Sequence, residues 1–288
     1  MNWSIAVHGG AGNWDPALHD DARAGVRAAA EVGRTMLGSG ASALDAVCAV
    51  VVALEDNPVF NAGTGSVLNR DGDVEMDAAV MNGQDLGFGA VAAIRRIRNP
   101  VLVARCVMER SGHALLAGEG ALRFARAQGF ADYDPVTARA RTEWERLRPG
   151  PQGTVGAVAL DSQGGLAAAT STGGTVDKLA GRIGDSPLPG AGTYATELAA
   201  VSATGRGELV MRALAGKRIC DLVEQGRTMQ EAVVAVLQWM RAGIGGDAGF
   251  IAVSRAGSVG IAHGMAFMPH AFATSADPAV TVSMQVSP

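Results

Sequence analysis

The order of secondary-structure signals in this chain predicts a layered α+β fold. Ala-rich segments with helical periodicity are followed by β-branched strands, and helices and then strands follow again. Strand signals lie on both sides of Gly153-Thr154, and neither a low-complexity linker nor an internal repeat separates them. A single domain over residues 1–288, with helices layered against sheets, is therefore the simplest arrangement.

The first half is expected to supply helices and a hairpin. Its strands are predicted at residues 4–7, 66–68, 74–81 and 89–97, with a tight turn at 70–73, and its helices at 15–37, 42–54, 101–111 and 115–128. The segment from 129 to 153 is expected to be irregular.

The second half is expected to begin with another hairpin. Strands are predicted at residues 155–160, 166–171, 249–254 and 258–262, helices at 208–225 and 229–242, and a last apolar segment at 280–286. A glycine-rich loop should separate the hairpin from the helices.

The composition excludes several classes of protein. Hydrophobic residues make up 48% and charged residues 18%, which is typical of folded globular chains, and the net charge of −4 gives no basic field for nucleic acid or anionic lipid. No segment approaches the ~20 apolar residues of a membrane span, and the N-terminus lacks the pattern of a signal peptide. Three widely spaced cysteines suit reduced core thiols, so we expect a cytoplasmic protein.

Thr154 is the residue whose setting suggests chemistry. Gly153-Thr154 follows an irregular Pro- and Gly-rich stretch and opens the strand at 155–160. Most threonines at such a junction simply begin a strand. A peptide cut before Thr154 would, however, give its weakly nucleophilic hydroxyl a base, the new α-amino group of the same residue.

Motifs elsewhere in the chain favour the catalytic interpretation. They are His-Gly-Gly-Ala-Gly at 8–12, Phe-Asn-Ala-Gly at 60–63, Thr-Ser-Thr-Gly-Gly at 170–174, Gly-Arg-Ile-Gly-Asp-Ser-Pro at 181–187 and Ala-Thr-Gly-Arg-Gly-Glu at 203–208. With Thr154, and in this order, they resemble the plant-type L-asparaginase and isoaspartyl peptidase family of N-terminal-nucleophile hydrolases. Taken alone, His8 at the end of a strand is more typical of a hydrogen-bonded core residue.

The resemblance implies a fold and a maturation path. The fold is a four-layer αββα sandwich, made as a precursor that cuts itself into an alpha fragment, 1–153, and a beta fragment, 154–288. Two precursors pair as a homodimer, so the mature particle holds two of each fragment. No cofactor is required for the reaction, and the expected substrates are asparagine and β-aspartyl dipeptides.

The resemblance also assigns roles to individual residues. Thr154 is the nucleophile, Thr172 tunes it, and Thr204 with the N–H of Gly205 forms the oxyanion hole. Arg182 and Asp185 hold the substrate's α-carboxylate and α-amine, and Gly207 lets the backbone approach it. Asn61 and Gly153 support processing, and a sodium ion is expected on main-chain carbonyls of Leu54, Glu55, Asn57, Phe60, Ala62 and Thr64.

Three features depart from the family pattern. The segment before Thr154 is shorter than the family's usual linker. Asp177 stands where asparagine is common, and Asp247 makes a glycine-rich loop more acidic. The two acidic substitutions are expected to affect substrate preference.

Two alternatives to this function remain open. A glycosylasparaginase shares the threonine and the 181–187 loop, although Thr172-Gly173-Gly174 favours the asparaginase side. A non-catalytic amino-acid-binding protein could use Arg182 and Asp185 for the same zwitterion without needing Thr154.

Overall fold

The computed structural model describes residues 2–146 and 153–285, which contain both helices and strands. The helices are α1 (His19–Gly38), α2 (Ala43–Glu55), α3 (Pro100–Arg110), α4 (Gly118–Ala127), α5 (Ala138–Glu145), α6 (Gly207–Ala213), α7 (Ala215–Glu224) and α8 (Met229–Ile244). The strands are β1 (Ser4–His8), β2 (Met76–Asn82), β3 (Phe88–Ile94), β4 (Leu115–Ala117), β5 (Val155–Leu160), β6 (Leu166–Thr172), β7 (Thr193–Ala195), β8 (Ala199–Gly205), β9 (Ala248–Ser254), β10 (Val259–His263), β11 (His270–Thr274) and β12 (Thr281–Ser283).

The strands form two sheets. The larger sheet has the order β12-β11-β1-β5-β6-β2-β3-β4, and the smaller one has the order β10-β9-β8-β7. Neighbouring strands are antiparallel, apart from the parallel pair β3 and β4. Strands from both sides of Gly153 share the larger sheet, and β5 pairs with β1 on one edge and β6 on the other. Thr154 therefore enters the sheet at one of its inner strands.

Three apolar clusters place the sheets relative to the helices. One packs α1, α2 and α3 against the larger sheet, another packs α6, α7 and α8 against the smaller sheet, and the third lies between the two sheets. The alternation of side chains along each strand produces this division. In β8, for example, Val201 faces the helices while Ala200 faces the other sheet.

Both ends of α8 are capped, and the loop after its C-terminal end matters for the site. Thr228 and Glu231 form a capping box that fixes the start of α8. At the other end, Gly245 adopts the left-handed conformation that favours glycine (φ 66°) and directs the chain into residues 245–247. This short loop leads directly into β9.

The predicted hairpin of residues 66–68 and 74–81 is wrong. Residues 66–68 are a loop, because both edges of β2 are already paired, with β3 and with β6. The real hairpin joins β2 to β3 through residues 83–87, where the Asp85 side chain accepts a hydrogen bond from Gly87 N. Such a side-chain bond to the backbone stabilises a turn.

Several elements are missing from the prediction. Helix α5 occupies part of the segment expected to be irregular, and residues 147–152 of that segment lie outside the described residues. The helix expected at 208–225 is two helices, since Leu214 between them is left-handed (φ 46°). Strands β7, β8 and β11 were not predicted, and β8 is rich in alanine, serine and glycine, which have weak strand propensity. It forms because β7 and β9 pair with it on both edges.

Candidate active site

Thr154 lies just before β5, with only 6% of its surface exposed. The turn after β1 packs directly on the peptide bond that precedes it. A Cβ placed on Gly10 would lie 2.6 Å from Gly153 Cα and 3.1 Å from Thr154 N. Gly10 also has a φ of 101°, which side chains rarely adopt. Only glycine at position 10 allows this contact between the two backbones.

Thr204 lies on the N–H side of the same peptide bond. Its Oγ1 accepts a hydrogen bond from Thr154 N at 3.4 Å and another from Ala11 N at 3.1 Å. A hydroxyl also carries one proton to donate, so Thr204 keeps a donor beside Thr154. Gly205 follows it at the end of β8 with a φ of 131°.

Thr172 lies on the carbonyl side. Its hydroxyl donates a hydrogen bond to Gly153 O at 3.3 Å and accepts one from Gly174 N at 2.9 Å. Asn61 supports this turn. Its side-chain Nδ2 donates to Gly174 O at 2.7 Å, and its main-chain carbonyl accepts from Gly173 N at 3.0 Å. The peptide bond between Gly153 and Thr154 is thus held by a hydroxyl at each end.

Arg182 and Asp185 come together at Gly207. A Cβ on Gly207 would lie 2.9 Å from both Arg182 Nη2 and Asp185 Oδ1. The Arg182 side chain is 16% exposed and forms an ion pair with Glu208 at 3.0 Å, so the surface pair with Asp185 that a solvated loop would give is absent from the described residues. Both groups instead face the space above Gly207.

Asp185 carries the more unusual electrostatics of the two. Its side chain is buried, and its Oδ2 has no hydrogen-bond partner among the described residues. Burial raises the pKa of this carboxyl to about 7. A buried carboxylate oxygen without a partner is costly. This oxygen lies beside Gly192, whereas Oδ1 of the same carboxyl faces Gly207 and the cavity.

One cavity of about 320 Å³ connects these features. The predicted site residues that line it are Gly153, Thr154, Thr172, Arg182, Asp185, Gly205 and Gly207. Thr204 and Asn61 act from behind the lining through the hydrogen bonds above. The cavity therefore combines the Thr154 hydroxyl, hydroxyl and amide donors, and a cation and an acid whose charges match those of an α-amino acid.

Comparison with known proteins agrees with this chemistry. A family model described as Asparaginase matches residues 1–152 and 149–282. An isoaspartyl peptidase/L-asparaginase of Bos taurus is 46% identical over 288 residues, which cover 95% of this chain and 94% of that protein. A plant-type L-asparaginase of Pyrococcus furiosus is 45% identical over 298 residues, with 93% and 95% covered. The chain belongs to the asparaginase family.

A buried charge network under the Arg182 loop was not identified from the sequence. Asp77 Oδ2 accepts from Gly184 N, and Glu75 Oε2 accepts from Gly181 N, each at 2.9 Å. The two carboxylates hold the loop on both sides of Arg182. The signal that could have identified Asp77 is its presence in an otherwise apolar strand, Met-Asp-Ala-Ala-Val-Met from residue 76, which Glu75 directly precedes.

Lys178 completes this network. It is buried, and its Nζ donates to Glu75 O at 2.7 Å. Burial lowers its pKa, opposed by the charge of Asp77, and burial raises the pKa of Asp77, opposed by the charge of Lys178. The two charges therefore compensate each other beneath the loop that carries Arg182.

His8 is a core residue rather than a base in the cavity. Its Nε2 lies 2.9 Å from Ser202 Oγ, and Ser202 in turn lies 2.8 Å from Thr170 Oγ1. Burial lowers its pKa to about 3, so the ring is neutral at physiological pH. The chain of hydroxyls joins the two sheets behind β5.

The two acidic departures from the family pattern lie in different places. Asp177 forms an ion pair with Arg70 at 3.1 Å and does not reach the described lining of the cavity. Asp247 does line the cavity and forms an ion pair with Arg241. Only the change at Asp247 is therefore positioned to act on a bound substrate.

The loop predicted to bind sodium is tightly turned. Gly63 has a φ of 51°, and a Cβ on it would lie 2.5 Å from Glu55 O. The Glu55 carbonyl accepts from Thr64 N at 2.8 Å, and that of Asn57 accepts from Phe60 N at 3.1 Å. Each carbonyl has a second lone pair, and such oxygens suit a hard cation. The described residues contain no His, Cys, Asp and Glu cluster suited to another metal.

No helix in residues 2–146 and 153–285 combines the length and hydrophobicity needed to cross a lipid bilayer.

Cys48, Cys106 and Cys220 are free and buried, as expected for core thiols. Burial raises the pKa of Cys48 and Cys220 to about 12, so both are protonated at neutral pH.

Proposed function

We propose that this protein is a self-processing amidohydrolase that cleaves L-asparagine and β-aspartyl dipeptides through Thr154. The observation that carries the proposal is the peptide bond between Gly153 and Thr154, held by the Thr172 and Thr204 hydroxyls in the cavity that also contains Arg182. Relatives that share about 45% of its residues over most of the chain are named for these activities.

Self-cleavage begins with the precursor peptide. The Thr154 hydroxyl attacks the Gly153 carbonyl carbon, the C–N bond breaks, and the nitrogen takes the proton, which leaves an ester. Water hydrolyses that ester and frees the Thr154 hydroxyl and α-amine. The Thr172 hydroxyl, 3.3 Å from Gly153 O, stabilises the charge that develops there.

Substrate hydrolysis uses the same threonine. Its α-amine, with a reference pKa of ~7.7–8.0, takes the hydroxyl proton as Oγ attacks the side-chain carbonyl of the substrate. The Thr204 hydroxyl and the Gly205 N–H stabilise the oxyanion. The leaving ammonia or amino acid takes the proton, and water then hydrolyses the acyl-enzyme.

Arg182 and Asp185 select the substrate. A guanidinium binds a carboxylate through two parallel hydrogen bonds, so Arg182 receives the substrate α-carboxylate. The Asp185 carboxylate, whose Oδ1 faces Gly207, accepts from the α-ammonium. The absence of a side chain on Gly207 leaves room for the substrate backbone between them.

The maturation path and assembly follow the family. We propose a single domain of the four-layer αββα type, supported by apolar clusters on both sides of and between the sheets. Cleavage gives fragments 1–153 and 154–288, which stay together because both contribute strands to the larger sheet. Pairing of two precursors, a cytoplasmic location and the absence of nucleic-acid partners remain predictions.

A structural sodium ion is also proposed, on the carbonyls of residues 54–64. The carbonyl oxygens and the tight turns at Gly63 and Gly65 support it. It takes no part in the reaction steps.

The test compares three substrates: asparagine, β-aspartyl-leucine and a glycosylasparagine. Wild-type protein should hydrolyse the first two, Thr154→Ala should hydrolyse none, and the exposed-site control Thr35→Ala should match the wild type. A clear preference for the glycosylasparagine would assign the chain to the glycosylasparaginases. Stoichiometric asparagine binding without turnover by processed protein would identify a binding protein instead.

A further inference from the structure

Arg206 lies where the two walls of the catalytic cavity meet. It is the exposed residue between β8 and α6, and it lines the cavity. A Cβ on its neighbour Gly205 would lie 3.2 Å from Asp247 O, whereas one on its other neighbour, Gly207, would lie 2.9 Å from Arg182 Nη2. Arg206 therefore lies in the chain between Gly207, which faces the proposed substrate anchors Arg182 and Asp185, and Gly205, which faces the 245–247 loop.

Arg206 also differs from two other charged residues of the lining, Arg182 and Asp247. Arg182 pairs with Glu208, and Asp247 pairs with Arg241. Within residues 2–146 and 153–285, the Arg206 side chain forms neither a hydrogen bond nor an ion pair, although its charge helps to lower the pKa of Glu208. It presents a complete guanidinium fork at the mouth of the cavity, a group that matches a carboxylate.

The position of the anchors determines which part of a substrate reaches this mouth. Asp185 is buried and Arg182 is largely buried, so the aspartyl part of a substrate occupies the inner end. The leaving group then projects toward the exposed rim. Asparagine releases ammonia, which carries no further group, but a β-aspartyl dipeptide releases an amino acid whose free carboxylate is close to the cleaved amide.

We propose that Arg206 is a specificity-determining residue that binds the free carboxylate of the leaving amino acid of β-aspartyl dipeptides. The inference rests on the proposed function and refines its substrate class. Arg206 favours dipeptides with a free C-terminal carboxylate over asparagine and over dipeptides whose C-terminus is an amide. Asp247 does not oppose this binding, because Arg241 neutralises it.

The experiment measures kcat/KM for β-aspartyl-leucine, β-aspartyl-leucinamide and asparagine. The acid and the amide differ only in the group that Arg206 is proposed to bind. Wild-type protein should favour the acid by about three- to tenfold, as expected for a partly exposed guanidinium–carboxylate pair. Arg206→Gln should reduce that ratio to near one, and Arg206→Lys should retain part of it.

Arg212→Gln is the matched control, because it removes the same charge from an exposed position on α6 outside the described lining. Arg212→Gln should keep the wild-type ratio of kcat/KM for the acid to kcat/KM for the amide. Equal kcat/KM for acid and amide in the wild type, an unchanged ratio in Arg206→Gln, or a parallel loss on all three substrates would each overturn the role of Arg206. Failure of the wild type to hydrolyse any of them would instead overturn the proposed function.

Discussion

The Thr172 hydroxyl donates a hydrogen bond to the carbonyl oxygen of Gly153, with 3.3 Å between the two oxygens. That oxygen belongs to the peptide bond proposed to be cut. Negative charge develops on it when the carbonyl carbon is attacked, so a donor already in place lowers the barrier. The same hydroxyl accepts from Gly174 N, which fixes its orientation.

Thr172→Val should slow self-cleavage by about 10²-fold, the usual loss when one donor to such an oxygen is removed. Valine keeps the shape of the buried side chain and loses the hydroxyl. Thr172→Ser restores the donor and should process near the wild-type rate. The rate is read from the loss of full-length chain on a denaturing gel, with circular dichroism to check folding. A Thr172→Val precursor that cuts as fast as wild type would remove Thr172 from the processing step.

Gly10→Ala should also impair processing. Its Cβ would lie 2.6 Å from Gly153 Cα, and alanine is strained at a φ of 101°. The backbone at the cleavage site must shift to accommodate it. Gly38→Ala is the control, because nothing lies within 4 Å of the added Cβ. A Gly10→Ala precursor with normal cleavage and an unchanged melting temperature would contradict the close backbone contact.

Much of this fold could be predicted from local sequence, but the pairing of strands could not. The helix with a Ser42 cap and an apolar face was predicted almost to its ends, because capping and periodicity are local properties. Residues 66–68 have strand-like side chains yet form a loop, because β3 and β6 occupy both edges of β2. Strand β8 shows the reverse case, in which pairing creates a strand from weak strand formers.

The site was predictable to a similar extent. The motifs identified part of the cavity lining, including Arg182 and Asp185, but not lining residues such as Leu209 and Met265. The motifs did not show that Asp77 and Glu75 hold the loop that carries Arg182, because those contacts join residues about a hundred positions apart in the chain. Nor could the sequence show that Asp185 is buried with an unpaired oxygen.

Asp185 should make both substrate binding and stability depend on pH. Burial raises its pKa to about 7, so below pH 7 the empty site holds a neutral acid that binds an ammonium poorly. KM should therefore rise as the pH falls from 8 to 6. A KM that stays constant over this range, measured with β-aspartyl-leucine, would show that Asp185 does not bind the ammonium.

Stability depends on pH in the opposite direction: a higher pH favours substrate binding but lowers the free energy of unfolding. Between the unfolded pKa of ~3.9 and the folded value of about 7, the native state holds a proton that the unfolded chain releases. Raising the pH through this window therefore destabilises the native state. Asp185→Asn removes the effect, so it should be more stable than wild type at pH 8, by about 1–3 kcal/mol, and closer to it at pH 4. Urea unfolding at both pH values measures the difference, and equal differences at the two would contradict the buried charge.

Sodium should stabilise the protein specifically. A ligand that binds only the native state raises the melting temperature. Sodium chloride should raise it more than choline chloride at equal ionic strength, and Gly63→Ala, whose Cβ would lie 2.5 Å from Glu55 O, should lose the difference. Gly38→Ala serves again as the control. Equal melting temperatures for wild type in the two salts would exclude a sodium site in the loop.

The mass of the chains in the purified protein tests the central claim most directly. Wild-type protein should give a fragment that ends at Gly153 and one that begins at Thr154, held together until denatured, while Thr154→Ala should remain a single folded and inactive chain. Wild-type protein that stays at its full 29.3 kDa and still hydrolyses β-aspartyl dipeptides at full rate would contradict the mechanism.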